Sequence, residues 1–157
     1  MILQFKNYQD LTRGKILGDL LIESLTHQPY FELPELIVPT PLHWRRQLFR
    51  GLNQAAFLAE RISLALQLPL AHAITRIQNT PKQQHLSRRE RIKSYRKVFH
   101  CDEKLVRGKT VALVDDVVTT GATIEAMSAC LKKAGATRVL AWTIARTPAT
   151  HLTKLSK

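Results

Sequence analysis

The sequence predicts an α/β fold built on a parallel sheet. Two apolar runs, Val111 to Val114 and Val139 to Ala145, flank a helical pattern from Ile124 to Ala134 that ends near Gly135. Strand, helix and strand in that order make a βαβ unit, which requires parallel strands joined by a crossover. The chain of 157 residues, 45% of them hydrophobic, is the size of one domain with one core, so residues 1–157 are read as a single domain.

The upstream elements follow from local pattern. Leu11, Ile16, Leu17, Leu20, Leu21 and Leu25 recur at helical spacing, which predicts an amphipathic helix from Asp10 to Leu25 that ends before Pro29. Leu36, Ile37 and Val38 form a buried strand whose exit is stiffened by Pro39-Thr40-Pro41. A helix is expected from Asn53 to Leu66. Between Ile74 and Val98 the character changes. Asn79-Thr80-Pro81 interrupts regular structure, and Lys82, Arg88, Arg89, Arg91, Lys93, Arg96 and Lys97 gather with only Glu90 opposing them. This predicts a mobile, basic loop.

Twenty-four Lys plus Arg against twelve Asp plus Glu give a formal charge of +12, which favours polyanionic partners such as phosphate metabolites or nucleic acid. No stretch reaches the roughly 18 uninterrupted apolar residues of a membrane helix. Gln4, Lys6, Asn7 and Asp10 leave no apolar signal region at the N-terminus, so a cytoplasmic location without a membrane partner is expected. Cys101 and Cys130 lack metal-ligand spacing and a second pair, so both are expected to be reduced and structural. His43, His72, His85 and His100 show no metal-ligand spacing either, and Trp44 and Trp142 are read as packing residues.

The chemistry concentrates between Val111 and Thr123. A buried strand leads into Asp115 and Asp116, then into Thr119, Thr120, Gly121, Ala122 and Thr123, a small polar loop that opens a helix. Short residues and a glycine let several backbone amides converge on one phosphate, where the helix dipole also favours an anion. Two carboxylates beside that loop would repel a phosphate but can accept hydrogen bonds from sugar hydroxyls. Together these predict a ribose phosphate ligand. The loop has neither the Gly-Lys-[Ser/Thr] of a Walker A motif nor the triple glycine of dinucleotide folds. A solvated strand end or a plain helix cap would explain either half alone, but not both in order after an apolar strand.

This segment resembles the phosphoribosyl pyrophosphate signature of type I phosphoribosyltransferases. Val38-Pro39-Thr40-Pro41-Leu42, Arg45-Arg46 and Arg50-Gly51-Leu52-Asn53-Gln54 before an alanine-rich helix are similar to the ComF/GntX family of competence and DNA-utilisation proteins. Arg76, Thr80, Gln83, Leu86, Ser87, Arg91 and Phe99 extend that likeness, which runs from Leu3 to Pro148. The resemblance implies a mostly parallel five-stranded sheet flanked by helices, with a flexible basic loop over the site. It assigns the 5-phosphate to Thr119, Thr120, Gly121, Ala122 and Thr123, and the ribose hydroxyls to Asp115 and Asp116 as the catalytic pair. Pyrophosphate falls to the loop holding Thr40, Arg45, Arg46 and Arg50, with Arg50 foremost and Arg76, Gln83, Arg88 and Arg91 in the flexible loop.

If catalytic, such a protein displaces pyrophosphate from the anomeric carbon, with Mg²⁺ held mainly through the ligand's oxygens and waters. Asp115 and Asp116 are the only side chains considered for the metal. A non-catalytic reading on the same fold is a module for single-stranded DNA or a partner of a replication or recombination helicase in competence. Two features depart from the family: its N-terminal cysteine-rich zinc ribbon has no counterpart here, and Ser94 stands where an asparagine commonly follows the loop arginine.

Overall fold

β4 (Thr110–Val118) is the axis of the molecule, and its burial explains the layers around it. The computed structural model describes residues 11–29, 31–41, 53–77 and 98–147. In chain order these form α1 (Leu11–Thr26), β1 (Leu36–Pro39), α2 (Gln54–Leu66), β2 (Ile74–Arg76), β3 (Phe99–Cys101) and α3 (Glu103–Val106). β4, α4 (Ala122–Lys133) and β5 (Arg138–Arg146) follow. β4 pairs in parallel with β1, Leu36 opposite Val111 through Pro39 opposite Val114. On its other edge it pairs in parallel with β5, from Thr110 opposite Arg138 to Val118 opposite Arg146. A lone parallel bridge joins Ile37 to Leu70 at the outer edge of β1.

Val111, Ala112, Leu113 and Val114 are all fully buried, as a strand covered on both faces demands. Successive side chains alternate between faces, so β4 serves two cores. Val111 and Leu113 join Leu36, Val38, Met127 and Leu131 on the α4 side. Ala112 and Val114 join Ile37, Leu58, Ile62 and Trp142 on the side of α1 and α2. The expected packing role of Trp142 holds: it is buried and its ring lies 6.1 Å from that of Phe31.

The βαβ unit is present as β4, α4 and β5, and the helices begin and end within two residues of their expected bounds. Three details differ from expectation. The buried stripe of α1 is Gly14, Leu17, Gly18, Leu21 and Leu25, while Leu11, Ile16 and Leu20 face outward. Gly18 lets α2 approach closely, since a Cβ there would stand 3.2 Å from Arg61 Nε. Five strands are described, but divided between the three-stranded parallel sheet and a separate antiparallel pair of β2 and β3.

Cys101 and Cys130, expected to be free thiols, form a disulfide with Cα atoms 6.1 Å apart. They are 29 residues apart, and only the packing of β3 against α4 brings them together. Nothing in the sequence gives the register of β3, so nothing in it pairs the two cysteines.

Candidate functional site

The site lies where β1 stops and β5 does not. β1 ends at Pro39, opposite Val114, whereas β5 stays paired with β4 through Asp115, Val117 and Val118. The strand that was expected to end at Val114 is therefore carried on to Val118 by its other neighbour. Asp115 and Asp116 occupy a ledge, supported by β5 on one side and opened on the other. Ligands of open α/β sheets bind at this C-terminal end.

Thr40 closes the opened side. Its amide donates to Val114 O at 2.9 Å, and its hydroxyl donates to Asp115 Oδ1 at 2.9 Å. Its carbonyl accepts from Asn53 Nδ2 at 3.2 Å. All three polar groups of this buried residue thus have partners in the protein, and its hydroxyl serves the carboxylate of Asp115. Asn53 was expected only to start a helix. It does so, its Oδ1 accepting from Ala56 N at 3.2 Å, and its amide nitrogen also ties the start of α2 to the exit of β1. An Asn-Gln pair before an alanine-rich helix signals the cap in sequence, but nothing local signals the tie.

Asp115 Oδ1 also accepts from the amide of Asp116 at 2.9 Å, and Asp116 Oδ1 accepts from the amide of Val117 at 2.7 Å. On the far side of the ledge the Thr143 hydroxyl donates to the carbonyl of Asp116 at 3.0 Å. By strand alternation Asp115 lies on the α4 side and Asp116 on the opposite one. Burial pushes the carboxyl of Asp115 up from 3.8 to about 6, and the negative charge of Asp116 adds to that; the hydrogen bond from Thr40 works against both. A carboxylate kept costly to ionise and poised near neutrality is a mark of functional sites.

The polar loop lies directly after the ledge. Gly121 takes φ 78° and caps α4 without a side-chain hydrogen bond. This left-handed conformation suits glycine and turns the chain sharply from strand into helix. The Thr120 hydroxyl accepts from Ala122 N at 3.4 Å, and Glu125 N donates to Gly121 O at 2.9 Å. Among the described residues no acceptor meets the amides of Thr123 and Ile124. Thr119, Thr120 and Thr123 are exposed at the same helix end. Backbone amides without an acceptor among the described residues thus stand at the N-terminus of α4, three residues beyond the strand that carries Asp115.

Of the remaining candidates, Arg76 sits on β2 with its guanidinium 5.9 Å from the centre of the Phe99 ring, in the antiparallel pair on the α4 side. Arg45, Arg46, Arg50, Gln83, Arg88 and Arg91 lie outside the described residues. Charge divides along the same line. In the described residues Lys and Arg nearly balance Asp and Glu, so the formal +12 resides almost wholly in the remainder, chiefly around Arg45 to Arg50 and Lys82 to Lys97. The first segment lies between Pro41 and Asn53, the second between β2 and β3. No group of three or more metal-ligating side chains occurs among the described residues, and no helix among them is long and apolar enough to cross a membrane.

Residues 50–156 match the phosphoribosyl transferase domain. The chain is 38% identical over 154 residues to the protein named competence protein F of Haemophilus influenzae, covering 93% of this chain and 66% of that one. It is 38% identical over 117 residues to the DNA utilization protein YhgH of Escherichia coli, covering 74% of this chain and 51% of that one. The chain thus spans between half and two thirds of the length of these relatives. Among solved structures, the glutamine phosphoribosylpyrophosphate amidotransferase of B. subtilis superposes with a TM-score of 0.58 over 83% of this chain and 26% of that one. At 20% identity that likeness is one of fold.

Proposed function

Because the chain belongs to the phosphoribosyl transferase domain family, we propose that its ledge and loop bind a ribose 5-phosphate group, that of phosphoribosyl pyrophosphate, for transfer to an acceptor. Its fold is of the type I phosphoribosyltransferase kind, and in sequence it is similar to competence and DNA-utilisation proteins. The observation that carries the reading is the adjacency of the pinned Asp115 carboxylate to the open amides of the α4 N-terminus.

In this reading the 5-phosphate takes the amides of the 119–123 loop and the hydroxyls of Thr119, Thr120 and Thr123. Asp115 and Asp116 accept hydrogen bonds from the ribose hydroxyls. Oδ1 of Asp115 is already engaged by Thr40 and by the amide of Asp116, which leaves Oδ2 to meet the sugar. The bond from the anomeric carbon to pyrophosphate then breaks with positive charge developing on the sugar ring, and the leaving group carries away the electron pair. Carboxylates beneath the ring stabilise that charge. Arg45, Arg46 and Arg50 are proposed for the pyrophosphate, since a guanidinium offers paired donors and never loses its charge. Arg76, Gln83, Arg88 and Arg91 are proposed to contact the same ligand.

Two carboxylates with no third ligating side chain beside them among the described residues suit a magnesium ion held mainly by the ligand. When bound, that ion would neutralise charge on the departing pyrophosphate. The concentration of basic residues outside the described core favours a second reading, in which single-stranded DNA occupies the same basic border. The names of the relatives give that reading its biological setting, competence and use of DNA.

Calorimetric titration with phosphoribosyl pyrophosphate and Mg²⁺, then with ribose 5-phosphate and pyrophosphate separately, tests the first reading. Micromolar binding that needs both ends of the ligand is expected. No binding of any of the three would overturn it. Competition between the same ligand and an oligodeoxythymidine would place both in one cleft.

A further inference from the structure

The disulfide has a setting that the ribose phosphate site does not use. Cys101 ends β3, the strand entered directly from the basic segment of residues 78–97. Cys130 lies in the last turn and a half of α4, the helix whose first turn carries the phosphate loop. Their bond ties these two elements covalently. It also lies beside water. A cleft of 1310 Å³ is lined by Cys101 and Cys130 together with His100, Lys104, Arg107 and Lys133. Asp102 and Glu103 share that lining, and Glu103 is paired with Arg107. Cys101 is buried, whereas Cys130 is half-buried.

We propose that Cys101 and Cys130 form a reversible thiol–disulfide site that fastens the β2–β3 pair onto α4 when oxidised and releases it when reduced. The supporting chemistry is mutual. The Cα separation of 6.1 Å falls within the range a disulfide needs, so closing the bond requires no backbone movement. Cys130 Sγ also stands 3.5 Å from the carbonyl of Phe99, where a thiol can donate, so the reduced form has a place for its proton. The cleft gives a small disulfide or thiol access to Cys130, and its lysines and arginine favour an attacking sulfur anion.

The exchange partner is a low-molecular-weight disulfide. The thiolate of Cys130 attacks one of its sulfurs, releasing one thiol and leaving a mixed disulfide on Cys130. The thiolate of Cys101 then attacks Cys130 Sγ and releases the second thiol. Two protein thiols have lost two electrons and two protons, and the small disulfide has gained them as two thiols. Excess thiol runs the sequence backwards.

The full chain is equilibrated in buffers of graded reduced-to-oxidised glutathione ratio, quenched, alkylated without denaturant and then with it, and weighed by mass spectrometry. Hydrogen exchange is followed at both extremes. A single two-electron titration between paired and free cysteines is expected. Amides joining β3 to its neighbours, such as Ile77 to Val98 O and Asp102 to Ala73 O, should exchange at least about tenfold more slowly in the oxidised protein. Cys130→Ser should show the reduced exchange pattern in both buffers, and Cys101→Ser provides the same check should the first variant fail to fold. Cysteines that remain free in oxidised glutathione, a bond that resists reduced glutathione, or equal exchange in the two states of the native protein would overturn the proposal. None of these readouts involves a ribose phosphate ligand, so the two readings stand or fall separately.

Discussion

Substituting Asp115 by Asn should make the protein more stable while abolishing ribose phosphate binding, and the gain should depend on pH. Asn keeps the shape of the side chain, and its carbonyl oxygen still accepts from Thr40 and from the amide of Asp116. What it removes is the cost of ionising a carboxyl that burial and Asp116 have lifted from 3.8 to about 6. At 1.36 kcal/mol per pH unit, that lift is worth about 3 kcal/mol, and partial access of water reduces it to about 1–3 kcal/mol. The sign follows from proton counting. Between pH 4 and pH 6 the folded chain holds a proton that the unfolded chain has lost, so stability is greatest in acid and falls as pH rises through about 6. Urea unfolding of native protein and Asp115→Asn at pH 4 and pH 8 should therefore show little difference in acid and a gain of about 1–3 kcal/mol for the variant at pH 8. A variant less stable than the native protein at both values, or a gain independent of pH, would refute the account of Asp115 as a carboxylate held ionised at a cost to the fold.

Three further outcomes follow from the same geometry. Thr40→Val removes the hydroxyl donor while keeping the volume; it should raise the Asp115 carboxyl further above about 6 in a carbon-detected NMR titration and cost about 1–3 kcal/mol at pH 8. Gly121→Ala should cost about 1–2 kcal/mol in urea unfolding, because the position requires φ 78°, and should weaken ribose 5-phosphate binding more than pyrophosphate binding. Asn53→Ala should lose about 1 kcal/mol with its cap and also lower affinity for phosphoribosyl pyrophosphate, whereas Asn53→Asp, which caps but cannot donate to Thr40 O, should restore the stability and not the affinity. Equal recovery of both by the aspartate would refute the tie.

The order of elements and the position of the polar loop were legible because both are written in contiguous residues. A four-residue apolar run, two acids and a glycine-bearing polar loop need no tertiary information to be recognised. The ledge was not legible. Where β4 ends depends on how far β5 runs beside it, and residues 138–146 show apolar character without revealing register. Thr40 was singled out, but its partner Asp115 lies 75 residues away, so its hydroxyl could be counted among ligand donors until the parallel pairing of β1 with β4 was known. The cysteines failed for the same reason: composition speaks about frameworks, and a single bridge between strand and helix depends on packing alone. Leu11, Ile16 and Leu20 show the converse, a helical period read correctly whose buried edge includes Gly14 and Gly18 instead.

The tie between Asn53 and Thr40 separates two tasks that the chain might otherwise confound. Eleven residues of sequence, 42–52, leave and rejoin the described structure at points held together by one hydrogen bond, and Asp115 is braced by the residue at the point of departure. Changes of length between those points should therefore leave the Asp115 carboxylate undisturbed, since the cost of closing a longer connection grows only logarithmically. Under the proposed function, segments exchanged there between relatives should change ligand preference and leave the setting of Asp115 as it is, much as a tool head is changed on a fixed handle.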